Sequence, residues 1–409
     1  MPAYSQDSAA ASQISLLFDT MEQMTDIYVD GLGLVDDFYT GIGHYIAGIL
    51  YGMDQLAAQA TLAQKPFPRI YVIVPYDRVA RFRKFGFQYI KYKTFPMSFR
   101  IMSGLWHREK LPPIDLICGK GVYVFPRFVD MPLAFSKSLI VIHDITFELH
   151  KEYTEDRNAR FLSRTVHKSV ARAAGIITVS ENGRKEVIDF YKVKPTTVFT
   201  ATPAVDRKVF YRQGPKKIAE VKQKYNIQGD YILFVGSLEP RKNIDGLVEA
   251  YTKLPRQITD KYSLLLVGVN GWKTEAIFGK IIDYYQQGYK IIRPSRYVVD
   301  EDIPALFSGA TIFVLPAHYE GFGIPPLEAL ACGTPVITSN NSSLPEVVGK
   351  QAVLVNEKNT DEITEAMHSL LGDSKQRDKA LIGGPEQAAK FSWIKSAQNI
   401  IDYAQEKIS

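Results

Sequence analysis

The chain contains 409 residues, of which 46% are hydrophobic and 23% are charged, and its formal net charge at pH 7 is +5. This composition is typical of a folded globular protein and excludes a disordered or fibrous chain. No apolar run approaches the roughly 18 residues that a membrane-spanning helix needs, so the sequence argues against a transmembrane protein. The small positive charge suits anionic small molecules and does not by itself indicate nucleic-acid binding.

The N terminus and the cysteines bear on where the protein works. Residues 1–13 are rich in alanine and serine and have no basic start, so they do not resemble a secretory signal. They predict a tail, followed by a short helix over residues 14–24. Cys118 and Cys332 lie in opposite halves of the chain on apolar segments, which predicts buried thiols rather than a disulfide. Together these features favour a reducing compartment, the cytoplasm.

Short apolar runs alternate with helical segments along the whole chain, a pattern that predicts parallel sheets covered by helices on both faces. The first series of predicted strands covers residues 26–30, 70–75, 114–118, 122–125, 139–142, 176–179 and 197–201. The second series covers residues 231–235, 263–267, 290–292, 311–315, 335–338 and 352–355. Helices are predicted between most of them, for example over residues 158–174 and 361–371. Two such series predict an α/β protein with two Rossmann-like domains.

The predicted domain boundary is the polar stretch at residues 206–214, which contains several charges and a Gly-Pro pair. We therefore expect a tail and short helix over residues 1–24, an N-terminal domain over 25–210 and a C-terminal domain over 211–390. A last helix over residues 394–407 carries apolar residues on one face.

The most informative segment is Glu320-Gly-Phe-Gly-Ile-Pro-Pro-Leu-Glu328, which follows an apolar, β-branched strand pattern at residues 311–315. Pro325 and Pro326 suit the first turn of a helix, and Gly333 with Pro335 suits its end. The segment is therefore predicted to be a strand, a glycine loop and a helix. In open parallel sheets, ligands bind at the carboxyl ends of the strands, where free N–H groups face an anion or sugar hydroxyls.

This segment resembles the Glu-x7-Glu motif of family 4 of the retaining glycosyltransferases, which have the two-domain GT-B fold. Residues 339–349 and 234–243, the latter with the pair Arg241-Lys242, are similar to further blocks of that family, as are residues 41–45 and His143-Asp144. The five blocks occur in the family's order. The resemblance implies parallel sheets facing a central cleft and a terminal segment, residues 391–409, that crosses back onto the N-terminal domain. It is strongest to bacterial mannosyl- and rhamnosyltransferases of surface polysaccharide assembly.

The resemblance also implies roles for individual residues. The catalytic residues would be Glu320 and His143 at the donor sugar, and Lys242 and Arg241 at the diphosphate of a nucleotide sugar. Glu328 would hold the ribose. The implied donor-binding set consists of Gly41, Gly43, Gly236, Arg241, Lys242, Tyr297, Val298, Glu320, Gly321, Phe322, Gly323, Ile324, Leu327 and Glu328. No metal and no other cofactor is implied, because cations at the leaving oxygen stabilise the growing negative charge.

In the N-terminal half, Gly41 and Gly43 would let the backbone approach a diphosphate or an acceptor closely. They do not complete a dinucleotide fingerprint, since position 46 is Ile, which argues against an NAD enzyme. Asp144 and His44 are placed on the acceptor side. The family often has Arg where this chain has His44. A lone His at a strand end is otherwise more often structural, but the resemblance favours a functional role for His143.

Residues 78–110 contain nine basic residues and one acidic residue, interleaved with eight aromatic residues. Such a pattern suits an anionic membrane surface, although it also fits single-stranded nucleic acid or a domain face with core aromatics and solvated charges.

The sequence thus predicts a metal-independent retaining hexosyltransferase that uses a nucleotide sugar and a saccharide or lipid-linked acceptor. It would be cytoplasmic, with possible peripheral contact to the membrane and without a nucleic-acid partner. Two alternatives stay open: a nucleotide-sugar epimerase on the same fold, and a catalytically silent subunit that binds a partner.

Overall fold

The computed structural model describes residues 24–36, 41–108, 112–272 and 274–408. The predicted N-terminal tail, and the predicted helix over residues 14–24 except for its last residue, lie outside the described residues.

The first sheet has seven strands in the order β3-β2-β1-β4-β5-β6-β7. Its strands are β1 Ile27–Asp30, β2 Ile70–Pro75, β3 Lys91–Phe95, β4 Val122–Phe125, β5 Lys137–Ile142, β6 Gly175–Thr178 and β7 Val198–Thr200. β1, an interior strand, pairs in parallel with both β2 and β4. All four residues of β1 are buried, which explains why this strand has an apolar run rather than an alternating pattern.

The second sheet has six strands in the order β10-β9-β8-β11-β12-β13. Its strands are β8 Asp230–Val235, β9 Tyr262–Val267, β10 Ile291–Ile292, β11 Ile312–Leu315, β12 Val336–Ser339 and β13 Ala352–Val355. All its recorded pairs are parallel. The expectation of two parallel α/β sheets is therefore confirmed.

Helices connect the strands and cover the sheets. In chain order they are α1 Gly41–Leu62, α2 Val79–Arg83, α3 Phe99–His107, α4 Asp115–Cys118, α5 Thr146–Leu149, α6 Asp156–Arg172, α7 Glu181–Tyr191, α8 Pro215–Lys224, α9 Ile244–Lys253, α10 Arg256–Lys261, α11 Glu275–Gln286, α12 Ile303–Gly309, α13 Ile324–Ala331, α14 Leu344–Val348, α15 Thr360–Gly372, α16 Ser374–Ala388 and α17 Trp393–Tyr403. The longer ones are amphipathic: α6, for example, buries Leu162, Val166 and Val170. Ser180 caps α7 and Asn243 caps α9 through their side-chain oxygens.

No described helix is long and apolar enough to cross a membrane.

The described chain divides into two compact units that interleave along the sequence. Unit 1 contains the residues up to Ile140, Arg172–Ala174 and the residues from Ala397 onward; unit 2 contains Val141–Ala171 and Gly175–Ser396. Within unit 1, the end of the chain returns to its beginning: the Gln405 side chain exchanges hydrogen bonds with the backbone of Thr25. The predicted division at about residue 210 falls between the last strand of the first sheet and the first strand of the second, and the predicted boundaries stay a prediction.

One element prediction was wrong, and one strand was not predicted. Residues 114–118, predicted as a strand, end in the short helix α4, because Asp115 accepts hydrogen bonds from the N–H groups of Ala134, Phe135 and Ser136 and is held there by a distant loop. Leu116 and Ile117 of that run are exposed. Conversely, β3 was not predicted, because Lys91-Tyr-Lys-Thr-Phe95 is a charged edge strand with only its last residue buried.

Each sheet has one point where the strand order reverses. In the first sheet it lies between β1 and β4, and in the second between β8 and β11. Loops that leave two neighbouring strands in opposite directions open a crevice at such a point, which is where open α/β sheets bind ligands. The fold therefore directs attention to the residues that follow β8 and β11.

Candidate functional site

The loops after β8 and β11 bring the two main sequence motifs together. A single 3-10 turn, Pro240–Lys242, follows β8 and presents the basic pair. Glu320 lies in the loop between β11 and α13. Because β8 and β11 are hydrogen-bonded neighbours, residues almost 80 positions apart in the sequence meet at one sheet edge.

Glu320 lies between both cations. One carboxylate oxygen accepts a hydrogen bond from Nη1 of Arg241 at 2.9 Å, and the other contacts Nζ of Lys242. Arg241 also donates to Glu239 Oε1 at 2.8 Å and to the Tyr319 carbonyl at 2.9 Å. Lys242, Glu320 and Glu239 are 7%, 5% and 3% exposed. The site is thus a buried ionic cluster rather than a pair of solvated basic residues.

Burial and charge act in opposite directions in this cluster. Burial alone would raise the pKa of Glu320, but the charges of Lys242 and Arg241 outweigh it and hold that pKa below its ordinary value. Burial lowers the pKa of Lys242 despite the neighbouring carboxylate. For Arg241, the carboxylates of Glu320 and Glu239 outweigh burial and raise the pKa. Each charge of the cluster therefore has an opposite charge beside it, which offsets part of the cost of burying it.

The glycine loop is held by two serines. Ser343 Oγ donates to the carbonyl oxygens of Glu320 and Phe322 at 2.8 Å each, and Ser342 Oγ accepts from the Glu320 N–H at 3.1 Å. Gly323 has a φ of 102°, which L side chains rarely adopt, and helix α13 begins directly after it. The predicted loop and helix start are thus observed, with both prolines in the first turns.

Gly321 brings the His143-Asp144 segment against this loop. A Cβ atom at Gly321 would lie 2.4 Å from the His143 carbonyl oxygen and 3.2 Å from Asp144 Cβ. Only a glycine allows this approach. Asp144 contributes to the raised pKa of Arg241 through its charge, and its side chain accepts a hydrogen bond from the Thr146 N–H. The structure therefore unites His143, Asp144, Glu320 and Arg241 within unit 2.

Glu328 differs from Glu320. It is half-buried in α13, and burial together with the charge of Asp300 raises its pKa to about 8. Asp300 begins the 3-10 turn that follows Tyr297 and Val298. Tyr297 is exposed and Val298 is buried. The second carboxyl of the motif therefore has a pKa close to neutral pH. It lies near the segment that the resemblance connects with the nucleotide base.

Other predicted donor-binding residues take supporting positions. Gly236 lies next to Lys242, since a Cβ there would be 3.9 Å from its Cε. The side chains of Phe322 and Leu327 are buried, so a ligand would meet their backbone, and Ile324 begins α13. Gly41, Gly43 and His44 belong to unit 1, at the start of α1; Gly43 is buried, whereas Gly41 and His44 are exposed.

Sequence reasoning gave no role to four residues at the strand-order reversals of the two sheets. Glu239 and Tyr319 both contact Arg241; their positions directly beside the motifs were the available signal. In unit 1, Asp30 at the end of β1 pairs with Arg127 after β4 at 3.0 Å. That pair occupies the strand-order reversal of the first sheet, and neither residue has a recognisable motif.

The arrangement can hold a dianionic group. Two cationic side chains and the backbone N–H groups at the start of α13 lie at the carboxyl ends of β8 and β11, where an anion is favoured. Among the described residues, no group of three or more His, Cys, Asp or Glu side chains is placed to hold a metal ion.

Comparisons with known proteins identify the family to which the chain is similar. The family "Glycosyl transferases group 1" matches residues 217–385. O-antigen chain mannosyltransferase B of Escherichia coli is 36% identical over 274 residues, which are 66% of this chain and 71% of that protein. The serotype-specific mannosyltransferase WbdA of Escherichia coli is 31% identical over 269 residues, 65% of this chain but only 33% of that protein.

Solved structures show the same fold. HepE from Anabaena, crystallised with UDP and glucose, has a TM-score of 0.66 at 14% identity and covers 94% of this chain and 100% of its own. WaaG, a glycosyltransferase involved in lipopolysaccharide biosynthesis, has a TM-score of 0.61 at 16% identity, with 93% of this chain and 100% of its own covered. The fold is GT-B, and the resemblance inferred from the motifs is confirmed. With a relative 36% identical over most of its own length, this chain belongs to the family of group 1 glycosyl transferases.

Proposed function

We propose that the protein is a retaining glycosyltransferase that transfers a hexose of the mannose, rhamnose or glucose type from a nucleoside-diphosphate sugar to a saccharide or lipid-linked acceptor. The observation that carries this proposal is the buried cluster of Arg241 and Lys242 around Glu320, at the strand-order reversal of the second sheet. It supplies positive charge where the leaving diphosphate would develop negative charge.

The cations act on the leaving group. When the donor binds, its diphosphate oxygens accept hydrogen bonds from Lys242 and Arg241 in place of Glu320. The charge on these oxygens grows as the bond to the sugar breaks, so the same contacts are stronger in the transition state than in the ground state. Glu320 is thereby released towards the sugar hydroxyls or the positive charge at the anomeric carbon, and His143 contacts the same sugar.

This arrangement supports retention without a covalent intermediate. A covalent route would need a carboxylate that attacks the anomeric carbon, whereas the task proposed for Glu320 is to hold sugar hydroxyls or to balance the positive charge at that carbon. Glu328 has a separate task. Its carboxyl, whose pKa no cation lowers, suits the ribose diol, whereas Tyr297 and Val298 suit the nucleotide base. We therefore propose attack by the acceptor on the same face, assisted by the leaving phosphate. Positioning and charge stabilisation then supply the catalysis, with no metal and no other cofactor.

The relatives' names support a role in polysaccharide assembly. Both Escherichia coli relatives are named mannosyltransferases, and one acts on an O-antigen chain. We therefore favour mannose among the three sugars and a growing saccharide as acceptor. A cytoplasmic location is supported by the two cysteines, which are free and buried in the structure.

We also propose peripheral contact with an anionic membrane surface through part of residues 78–110. The structure places several aromatics of this segment in the core, Phe82, Phe95 and Trp106 among them. Phe85, Tyr89 and Ile101 are exposed, close in sequence to the exposed Lys84, Lys91 and Arg100. Glu109 and Lys110 lie outside the described residues. The proposed membrane contact therefore involves fewer residues than the sequence pattern suggested.

Lys242→Met should reduce turnover by about 100-fold or more, because it removes one preorganised charge at the leaving group while keeping the volume of the side chain. Glu320 keeps Arg241 as its partner, so the variant should still fold. Steady-state transfer from a panel of nucleotide sugars measures the effect. Lys253→Met, at a half-exposed lysine in the next helix, is the matched control. Near-normal turnover in Lys242→Met would contradict the phosphate role.

Glu328→Gln should weaken binding of a nucleoside diphosphate by about 10-fold or more above pH 8, where the native carboxyl is ionised and the variant lacks that charged hydrogen-bond acceptor. The native carboxyl holds a proton up to about pH 8, whereas an ordinary one loses it near 4.5. Native protein therefore binds more protons in this window, and stability falls as pH rises through it. The variant should lose that part of the pH dependence. Calorimetric titration and melting curves against pH test both effects, with exposed Glu365→Gln as control; unchanged affinity would remove the ribose assignment.

Transfer should survive EDTA and keep the anomeric configuration of the donor. Cations and backbone N–H groups take the place of a metal, and same-face attack preserves the configuration. NMR of the first product formed, with and without chelator, checks both points. An inverted product, or activity restored only by added divalent ions, would refute the mechanism.

Replacing Lys84, Lys91 and Arg100 together with Ser should abolish co-sedimentation with anionic liposomes, since each basic residue near such a surface contributes about 1 kcal/mol. High salt should release the wild type for the same reason. Ser at exposed Lys216, Lys375 and Lys379 removes equal charge elsewhere and should leave binding intact. Equal recovery of wild type with anionic and neutral liposomes would reject the membrane surface.

A further inference from the structure

A surface pocket lies beside the ionic cluster and has no role in the function proposed above. Its cavity volume is about 320 Å³, and it is lined by Glu155, Asp156, Arg157, Arg160 and Trp272. The four charged residues lie at and just before the N-terminus of α6, and Trp272 lies in the loop after β9. This volume is at the lower end of the about 300–1,000 Å³ typical of small-molecule sites.

The polar side-chain groups that line this pocket have no hydrogen-bond or ion-pair partners among the described residues. In the described part of the chain, no hydrogen bond or ion pair involves the charged groups of Glu155, Asp156, Arg157 or Arg160, although two acids and two bases are neighbours. The indole Nε1 of Trp272 is buried and has no hydrogen-bond partner. An unsatisfied buried donor costs about 1–3 kcal/mol. The pocket thus has free groups of the kind that bind a polar ligand.

The two walls of the pocket are attached to the ionic cluster. On one side, the Gly271 N–H donates to the Leu238 carbonyl at 2.9 Å. A Cβ at Gly271 would lie 2.9 Å from Cβ of Glu239, the residue that holds Arg241. On the other side, Tyr153, two residues before Glu155, stacks on His318 at a centroid distance of 5.2 Å. The backbone N–H of His318 donates to the Arg241 carbonyl. A short series of contacts therefore links each wall of the pocket to the ionic cluster.

We propose that this pocket is a saccharide subsite that holds an uncharged sugar unit of the acceptor, with Trp272 as its stacking platform. An aromatic face packs against the C–H groups of a sugar ring, while the carboxylates accept hydrogen bonds from hydroxyls and the guanidinium groups donate to them. The assignment to the acceptor rests on the proposed glycosyl transfer.

Charge distinguishes this ligand from the alternatives. A phosphate in the pocket would face the carboxylates of Glu155 and Asp156 as well as the two arginines. The diphosphate instead has Arg241 and Lys242. The hydroxyls of an uncharged sugar ring can donate hydrogen bonds to the two carboxylates and accept them from the two arginines. Its C–H face can pack on Trp272, so this ligand suits all five lining residues.

The test uses mannobiose and maltose as probes and saturation-transfer NMR on the full chain. Wild type should bind at least one of the two disaccharides. Trp272→Ala should weaken this binding by about 10-fold, and Trp272→Phe, which keeps an aromatic face, should retain most of it. Arg160→Gln, at an exposed position of α6, should weaken binding less. Tyr285→Ala, at a tyrosine 67% exposed on α11, is the matched control and should have no effect.

Binding of nucleoside diphosphates, followed by thermal shift, separates this inference from the proposed function. Trp272→Ala should leave that shift unchanged. Disaccharide binding that is weakened in Trp272→Ala, less so in Arg160→Gln, and unchanged in Tyr285→Ala supports the subsite even if no nucleotide binds. Absence of nucleotide binding would refute the proposed donor instead. The subsite is overturned if neither disaccharide binds to wild type, if Trp272→Ala binds as well as wild type, or if it loses nucleotide and disaccharide equally.

Discussion

The site depends on one buried ionic cluster, in which Glu320 lies between Arg241 and Lys242. Removing three charges from water is costly, and their attraction offsets that cost only when geometry is good and the remaining polar atoms have partners. Here Glu239 and the Tyr319 carbonyl satisfy the rest of Arg241. The cluster exists because two parallel strands are neighbours, so the sheet supplies its geometry.

Small residues and hydroxyls around the cluster serve this geometry. Gly321 permits contact with the His143 backbone, and Ser343 ties two loop carbonyls together. The two carboxylates of the motif consequently experience opposite environments. Glu320 has its pKa held low by two cations, whereas Glu328, without a cation, has its pKa raised to about 8. One nine-residue motif thus provides a charged group and a group near its titration point.

The basic and aromatic segment, residues 78–110, shows that the composition of a segment does not reveal which of its side chains are exposed. Arg83 donates to the Tyr92 hydroxyl, Arg78 lies 4.7 Å from the Phe99 ring centroid, and Phe82 is buried. Much of the pattern therefore stabilises unit 1 internally, with the cations covering aromatic rings. Only the exposed side chains remain available to a partner.

The sequence by itself determined the two series of parallel strands, the helix that begins at Ile324 and the motif residues, because buried parallel strands have apolar runs and glycine and proline mark loop and helix starts. It missed β3, whose edge position requires little apolar surface, and it misassigned residues 114–118, where Asp115 is pinned by a loop about 20 residues away. Only the tertiary structure decided that Glu320 pairs with Arg241 and Lys242, that Glu239 belongs to the cluster, and that Trp272 faces residues 155–160. These contacts join segments far apart in the chain, and local pattern has no information about which of them meet.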